Sequence, residues 1–325
     1  AADPVPWTTI FTGILIVNFF YWTTNQAIIQ RSLAAKSLAE GQKGILYAGV
    51  FLLFLPFLLN VPGLVSFHIF GDSIKTIDLA YPMLVSKVLP KPLLGFFTAC
   101  LFGAILSTFN SFINSAATLF CYDIYRPIFK KDISDEDLIK VAKIAGTIIA
   151  IVSMIIAPLL QYGTGGLFLL LKRFAGFFNI PIVALVAVGF LNKTISGKAA
   201  RIVILLHVIL YYSLVWIFKV QINFTHVMGG LFVFDIVAMF ILGSIFKRET
   251  PYVPSTRNKS NVDLSDWKYV REFSALLIIG LAYLYAVLSP IGLAGGNGLG
   301  RLTGIFVVLT VIILFIINKT KKRNN

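Results

Sequence analysis

Three stretches of this sequence place polar groups among neighbours too apolar to satisfy them. In the first, Ile14-Leu15-Ile16-Val17 runs into Asn18, and Tyr21, Asn25 and Gln26 follow. Spacings of three and four put several of these on one helical face. Two readings stand. The amides bond to neighbouring helices, or they line a polar cavity. Aromatic rings beside amides suit a neutral polyhydroxylated ligand, because rings stack on its apolar faces and amides pair with its hydroxyls. The segment Trp22-Thr23-Thr24-Asn25 is a weak helix former, so a break is expected there. Exposed backbone at membrane depth is tolerated only where it lines a cavity. The second stretch is Gly103-Ala104-Ile105-Leu106-Ser107-Thr108. The Ala104 carbonyl lies one turn before the two hydroxyls. Carbonyl and hydroxyl oxygens without a carboxylate suit a weakly held monovalent cation better than Ca²⁺ or Mg²⁺. The competing reading is that each hydroxyl bonds the carbonyl four residues back. The third is Lys172-Arg173 inside an apolar run. Either the pair sits near the outer end of a span and snorkels to water, or Lys172 faces a cavity and binds a carboxylate or several hydroxyls.

These residues need elements to carry them, and composition says which. Of 325 residues, 58% are hydrophobic and only 13% are charged, about half the usual ~25%. Too little polar surface is present to cover a soluble globule, and disorder is excluded for the same reason. Nine apolar runs are long enough to cross a bilayer: about 8–30, 44–66, 92–122, 138–161, 165–191, 201–219, 224–246, 271–289 and 302–318. They lack the alternation of barrel strands. The sequence therefore predicts an all-α polytopic membrane protein. In the second run Pro56, Asn60 and Pro62 read as kink elements. Ile77–Val88 predicts a short helix over the outer face, and 247–268, with Pro251 and Pro254, an irregular loop.

The net charge of +14 raises the question of nucleic acid, and the placement of the charges answers it. With the N-terminus outside, alternate loops on the inner side hold 21 of the 28 Lys and Arg. The outer segments hold Lys75, Lys87, Lys91, Lys219 and Arg301. That asymmetry fits the positive-inside rule with nine spans, so the partner is a lipid bilayer and not a nucleic acid. The expectation is a multi-pass cell-membrane protein with its C-terminus cytoplasmic. Cys100 and Cys121 share one apolar stretch and are expected to be small buried hydrophobes. His207 and Asp235 are isolated ionisable groups within spans, for which local pairing or an interfacial position is expected. Two such residues are too few for an intramembrane enzyme.

One longer motif is more specific. Asn114-Ser115 leads through Ala116-Ala117-Thr118-Leu119-Phe120-Cys121-Tyr122 into Asp123-Ile124-Tyr125-Arg126-Pro127. This resembles the signature of the solute:sodium symporter family. Ser107-Thr108 sits where that family has its hydroxyl pair. The stretch from Asn18 to Trp22, with Asn25-Gln26 and Gln30-Arg31, is similar to the broken helix of its bacterial sodium/sugar members. Val61-Pro62-Gly63 closing the second span and Gly176 with Pro181-Ile182 in the fifth also fit. The resemblance runs from about residue 7 to 200.

The resemblance implies a LeuT-type fold of two inverted five-helix repeats. Residues 1–200 would be the second repeat (core helices six to ten), and 201–325 four further helices. The first repeat would lie outside this sequence, which begins at Ala1 rather than Met. Carried over residue by residue, Ala104, Ser107 and Thr108 would hold sodium. Asn18 would bond a sugar, and Tyr21 would be the inner gate beneath it. Asn25 and Lys172 complete the expected substrate set. Two departures touch the substrate. A lysine of the sugar symporters is matched here by Leu52 or Leu53, and a sugar-contacting glutamine by Lys172. A sugar is expected, with inositol or an anionic sugar acid such as sialic acid as alternatives. A sensor role is disfavoured, because the tail 318–325 carries no soluble domain.

Overall fold

The computed structural model describes residues 5–162, 167–253, 262–289, 292 and 298–324. Its named elements are helical. A 3-10 turn at Trp7–Phe11 leads into α1 (Gly13–Thr23), followed by α2 (Gln26–Leu33) and α3 (Leu38–Phe70). A 3-10 turn at Ile77–Leu79 opens α4 (Ala80–Val88), as the amphipathic pattern predicts. Then come α5 (Lys91–Leu119), a π-helical turn (Phe120–Tyr125), the single turn α6 (Arg126–Ile128) and α7 (Asp135–Ile156). α8 is Leu167–Leu191, α9 is Gly197–Tyr212 with a π turn at Ser213–Ile217, and α10 is Phe224–Ile245. α11 (Val270–Leu288) and α12 (Gly298–Asn324) complete the set. Among the described residues, eight helices are long and apolar enough to cross a membrane. The ninth expected span is the pair α1 and α2, broken where expected. The protein is an all-α polytopic membrane protein.

Local chemistry sets the helix starts. Ser37, Ser134 and Ser196 each precede a helix and accept the N–H three residues on, from Glu40, Asp137 and Ala199. Such caps satisfy donors that would otherwise be orphaned. Asn223 caps α10 by accepting the N–H two residues on, from Thr225. The segment 247–253 and residues 262–269 lie outside the long helices, as expected for that loop; 254–261 fall outside the described residues.

Two expectations need correction. Val61-Pro62-Gly63 does not close the second span: α3 continues to Phe70 with Pro56 and Pro62 inside it. At 33 residues it is about 50 Å long. A proline removes a single backbone bond, and the apolar residues on both sides keep the helix going. Cys100 is exposed on α5, while Cys121 is buried as expected, against Ile133 and Leu138.

The chain forms two compact units. One comprises residues 1–30 and 91–257, the other 31–90 and 258–325. In the first, α1, α8, α9 and α10 pack around Ile180, Tyr211, Phe224, Val227, Met228 and Leu231, all buried. Close approach depends on small residues, as usual between membrane helices. A Cβ on Gly13 would press on the Thr225 carbonyl, and one on Gly229 would meet Thr12. A second cluster, Val188, Val203, Ala238 and Met239, continues the same seam. In the second unit α3 packs against α4 and α11, and α11 against α12. There Gln42 donates to Asp266 (2.7 Å) and accepts from Trp267 N–H (2.7 Å), while Leu38 N–H donates to the Asp263 carbonyl (2.9 Å). The Asp263 carboxyl is held below its usual range by the Ser265 backbone N–H and hydroxyl.

Candidate functional site

The break in the first span has a specific cause. The hydroxyls of Thr23 and Thr24 turn back to the carbonyls of Phe19 (2.7 Å) and Phe20 (3.1 Å). The backbone N–H groups of Thr24 and Asn25 also converge on Phe20 (2.9 and 3.0 Å). With α1 ended, Asn25 begins α2: its Oδ1 accepts Ala27 N–H (3.0 Å), and its carbonyl accepts Ile28 and Ile29. Asn25 thus uses its side-chain oxygen as a helix cap. Asn18 donates Nδ2 to the Ile14 carbonyl one turn back (3.0 Å) and stays exposed. Tyr21, 39% exposed, meets Trp22 edge-on with ring centroids 5.4 Å apart. Asn18 and Tyr21 lie three residues apart on one side of α1.

On α5 the Thr108 hydroxyl bonds one turn back, as the competing reading expects. Thr108 Oγ1 donates to the Ala104 carbonyl at 3.0 Å, and Ser111 Oγ donates to the Ser107 carbonyl at 2.9 Å. This does not remove the site's chemistry. A hydroxyl that donates its proton keeps its lone pairs. The Ala104 and Thr108 oxygens are therefore two neighbouring electron donors on one side of the helix. They open on a shallow hollow of about 430 Å³ shared with Ile105, Phe109 and Phe112. Farther along α5, a groove of about 830 Å³ runs against α7, lined by Asn110, Asn114, Thr118, Lys143 and Thr147 among others. Within the described structure, α5 buries only Ser115 and Ala117 of its 29 residues.

The two halves of the site meet through amides. Asn114 Nδ2 donates to Gln30 Oε1 (3.1 Å), and Gln30 Nε2 donates to the carbonyls of Ser111 (3.4 Å) and Ala27 (3.2 Å). This clasp ties the second half of the broken helix to α5, five residues beyond the break. Its two members belong to the stretches that carried the family resemblance, yet their pairing was not foreseen. The side-chain hydrogen bonds of Asn18 and Thr108 run back within their own helices.

Lys172 lies in the second turn of α8, half-buried, its Nζ 5.4 Å from the centre of the Phe168 ring. The next residue, Arg173, stacks its guanidinium over Phe224 on α10 and buries an Nε that has no partner among the described residues. Deeper in the same unit, His207 and Asp235 are both fully buried. His207 Nδ1 is 2.7 Å from Asp235 Oδ2, and its Nε2 is 3.0 Å from the Gly176 carbonyl. Local pairing or an interfacial position was the expectation for these two, and they pair. Their grip on Gly176 was not legible, because three separate helices supply it. Tyr211, stacked on His207, donates its hydroxyl to the Arg173 carbonyl (2.9 Å).

Comparison with known proteins agrees with this architecture. The model of the sodium:solute symporter family matches residues 2–206. A protein of Escherichia coli (strain K12) named uncharacterized symporter YidK is 38% identical over 323 residues, 99% of this chain and 56% of its own length. The sodium/glucose cotransporter of Vibrio parahaemolyticus is 35% identical over 206 residues, 58% of this chain and 38% of its own. Sodium/myo-inositol cotransporter 2 of Mus musculus is 32% identical over 213 residues, 60% of this chain and 32% of its own. The chain spans between about a third and somewhat over half the length of these relatives.

Proposed function

The chain belongs to the sodium:solute symporter family, and on that premise we propose that it serves sodium-coupled symport of a small polar solute, a sugar before inositol. The observation that carries this reading is the break between α1 and α2, clasped by Gln30 and Asn114 to the helix that bears Ala104 and Thr108. A broken helix supplies free backbone groups, and its neighbour supplies neutral oxygens, which are the donors a monovalent cation and a hydroxylated solute require. Sodium is here a co-transported substrate, held by Ala104, Ser107 and Thr108. Asn18, Asn25 and Lys172 contact the solute, and Tyr21 closes beneath it. The two relatives named as sodium/glucose and sodium/myo-inositol cotransporters support a polyhydroxylated solute.

The reading extends to the whole transporter. Residues 1–200 form the second of two inverted repeats, and 201–325 add four helices. The first repeat lies in the part of the relatives' length that this chain does not span. The N-terminus of this stretch is outside and the C-terminus cytoplasmic. One Na⁺ moving inward down ~100 mV releases about 2.3 kcal/mol. At ~1.36 kcal/mol per tenfold, one-to-one coupling sustains a neutral solute at about 50-fold inside over outside. A second reading, an anionic solute such as a sugar acid, is favoured by Lys172 and the buried Nε of Arg173 beside it, which has no partner among the described residues.

The test is uptake of radiolabelled sugars, inositol and sialic acid by proteoliposomes holding the whole natural protein under an inward sodium gradient. The Ser107→Ala, Thr108→Ala double variant runs alongside. Sodium-dependent uptake of one solute, lost in the variant, is expected. Uptake indifferent to sodium, or intact in the variant, would make the α5 hydroxyls structural.

A further inference from the structure

The His207–Asp235–Gly176 contact contains a proton count. Both imidazole nitrogens face acceptors: Nε2 faces the Gly176 carbonyl at 3.0 Å, and Nδ1 faces Asp235 Oδ2 at 2.7 Å. A carbonyl cannot donate, so Nε2 carries a hydrogen. A neutral imidazole has only one. The short Nδ1–Oδ2 contact therefore needs a second proton, whichever of the two atoms owns it. With it, the pair is neutral overall. Without it, one contact must fail. Either Nδ1 turns a lone pair on an ionised carboxylate, or the ring keeps its hydrogen on Nδ1 and turns a lone pair on the Gly176 carbonyl. Both side chains are fully buried, and Asp235 Oδ1 has no hydrogen-bond partner among the described residues. An unpaired carboxylate oxygen in that place is costly; a shared proton relieves it.

We propose that His207 and Asp235 form a proton-binding site which, when loaded, fastens α8, α9 and α10 to one another at Gly176. Other charged and titratable groups do not substitute for this proton. On α8, Arg173 stacks over Phe224, eleven residues from Asp235 along α10, and Lys172 lies over Phe168. On α9, Tyr211 gives its hydroxyl to Arg173, and on α10 His226 is held by Thr8 and Thr12. Tyr21 is the titratable residue of α1 and packs on Trp22. The grip falls five residues before Pro181, which has no N–H to offer the Phe177 carbonyl four residues back. The proton thus fastens α8 just ahead of the point where its own backbone ladder is interrupted.

The consequence is measurable without knowing the solute. In an unfolded chain Asp titrates near ~4 and His near ~6.5. Folded, the loaded pair keeps two protons, one on Nε2 and one shared. In Asp235→Asn the amide donates to Nδ1 and the folded pair keeps only the Nε2 hydrogen. Other ionisable groups cancel between the two proteins. Wild type should therefore lose stability relative to D235N by about tenfold in the unfolding equilibrium per pH unit. The experiment follows unfolding of the full chain in detergent micelles, wild type beside D235N, from pH 5 to 8. A ratio of unfolding constants that climbs with pH is expected; a ratio that stays flat overturns the proposal. If D235N does not fold, ¹⁵N spectra of histidine-labelled wild type decide. The nitrogen signals of His207 should stay unchanged across that range, because the pair keeps its two protons whichever atom owns the shared one. A His207 that takes up its second proton only as pH falls through the free imidazole range would overturn the site.

Discussion

Gly176 shows how one absent side chain fixes a contact. A methyl group there would run into the hydroxyl and ring of Tyr211 and the end of Met228. Methionine can move aside. Tyr211 cannot do so easily, since its hydroxyl is bound to the Arg173 carbonyl and its ring is edged by Phe177 and Trp216. Gly176→Ala should thus lower stability by about 1–3 kcal/mol, read as an earlier unfolding midpoint in micelles. An unchanged midpoint would show that α9 yields to the methyl. At this scale the sequence is legible where the partner is local. The hydroxyl of Thr108 bonding four residues back is one example. The isolation of His207 and Asp235 within apolar runs left local pairing or an interfacial position as the expectation, without naming the partner. Gly176 and Tyr211 were illegible, because 35 positions separate them and neither breaks the apolar pattern.

At the scale of elements, the break between α1 and α2 is the best-forecast feature. Two adjacent threonines and an asparagine carry their own reasons for ending one helix and starting another. The clasp that follows was hidden, since an amide pair between separate helices leaves no spacing to read. Asn114→Ala removes its donor. Hydrogen bonds between membrane helices average about 0.6 kcal/mol and reach about 1.7, so the fold should survive. Amide hydrogen exchange should rise across Ile28–Leu33 and stay unchanged along α7 beyond its first turns. Equal rates in α2 would mean that packing alone holds it to α5. Prolines misled in α3, where flanking apolar length outweighs two interruptions of the backbone ladder.

For the molecule as a whole, charge placement and hydrophobic length together forecast the number of spans better than their ends. The same asymmetry makes the topology testable. In a variant lacking Cys100 and Cys121, a cysteine at Lys87 should react with an impermeant maleimide on intact cells. One at Lys319 should react only after permeabilisation, and the reverse pattern would invert the protein in its membrane. The division into compact units does not follow chain order, since 31–90 joins 258–325. No periodicity in the sequence could announce that. The π turn at Phe120–Tyr125, where Arg126 N–H reaches back five residues to Cys121, has a consequence of another kind. Each residue advances a helix by about 100°, so this one extra residue sets the phase between everything before it and everything after. Removing it would leave a smoother helix and a misaligned one. Ser115 and Ala117 would keep their bearing, while Tyr125, packed against the cluster of Cys121, Ile133 and Leu138, would swing away from it. Along this stretch an insertion or deletion therefore turns the helix beyond it, even where the residue gained or lost touches nothing.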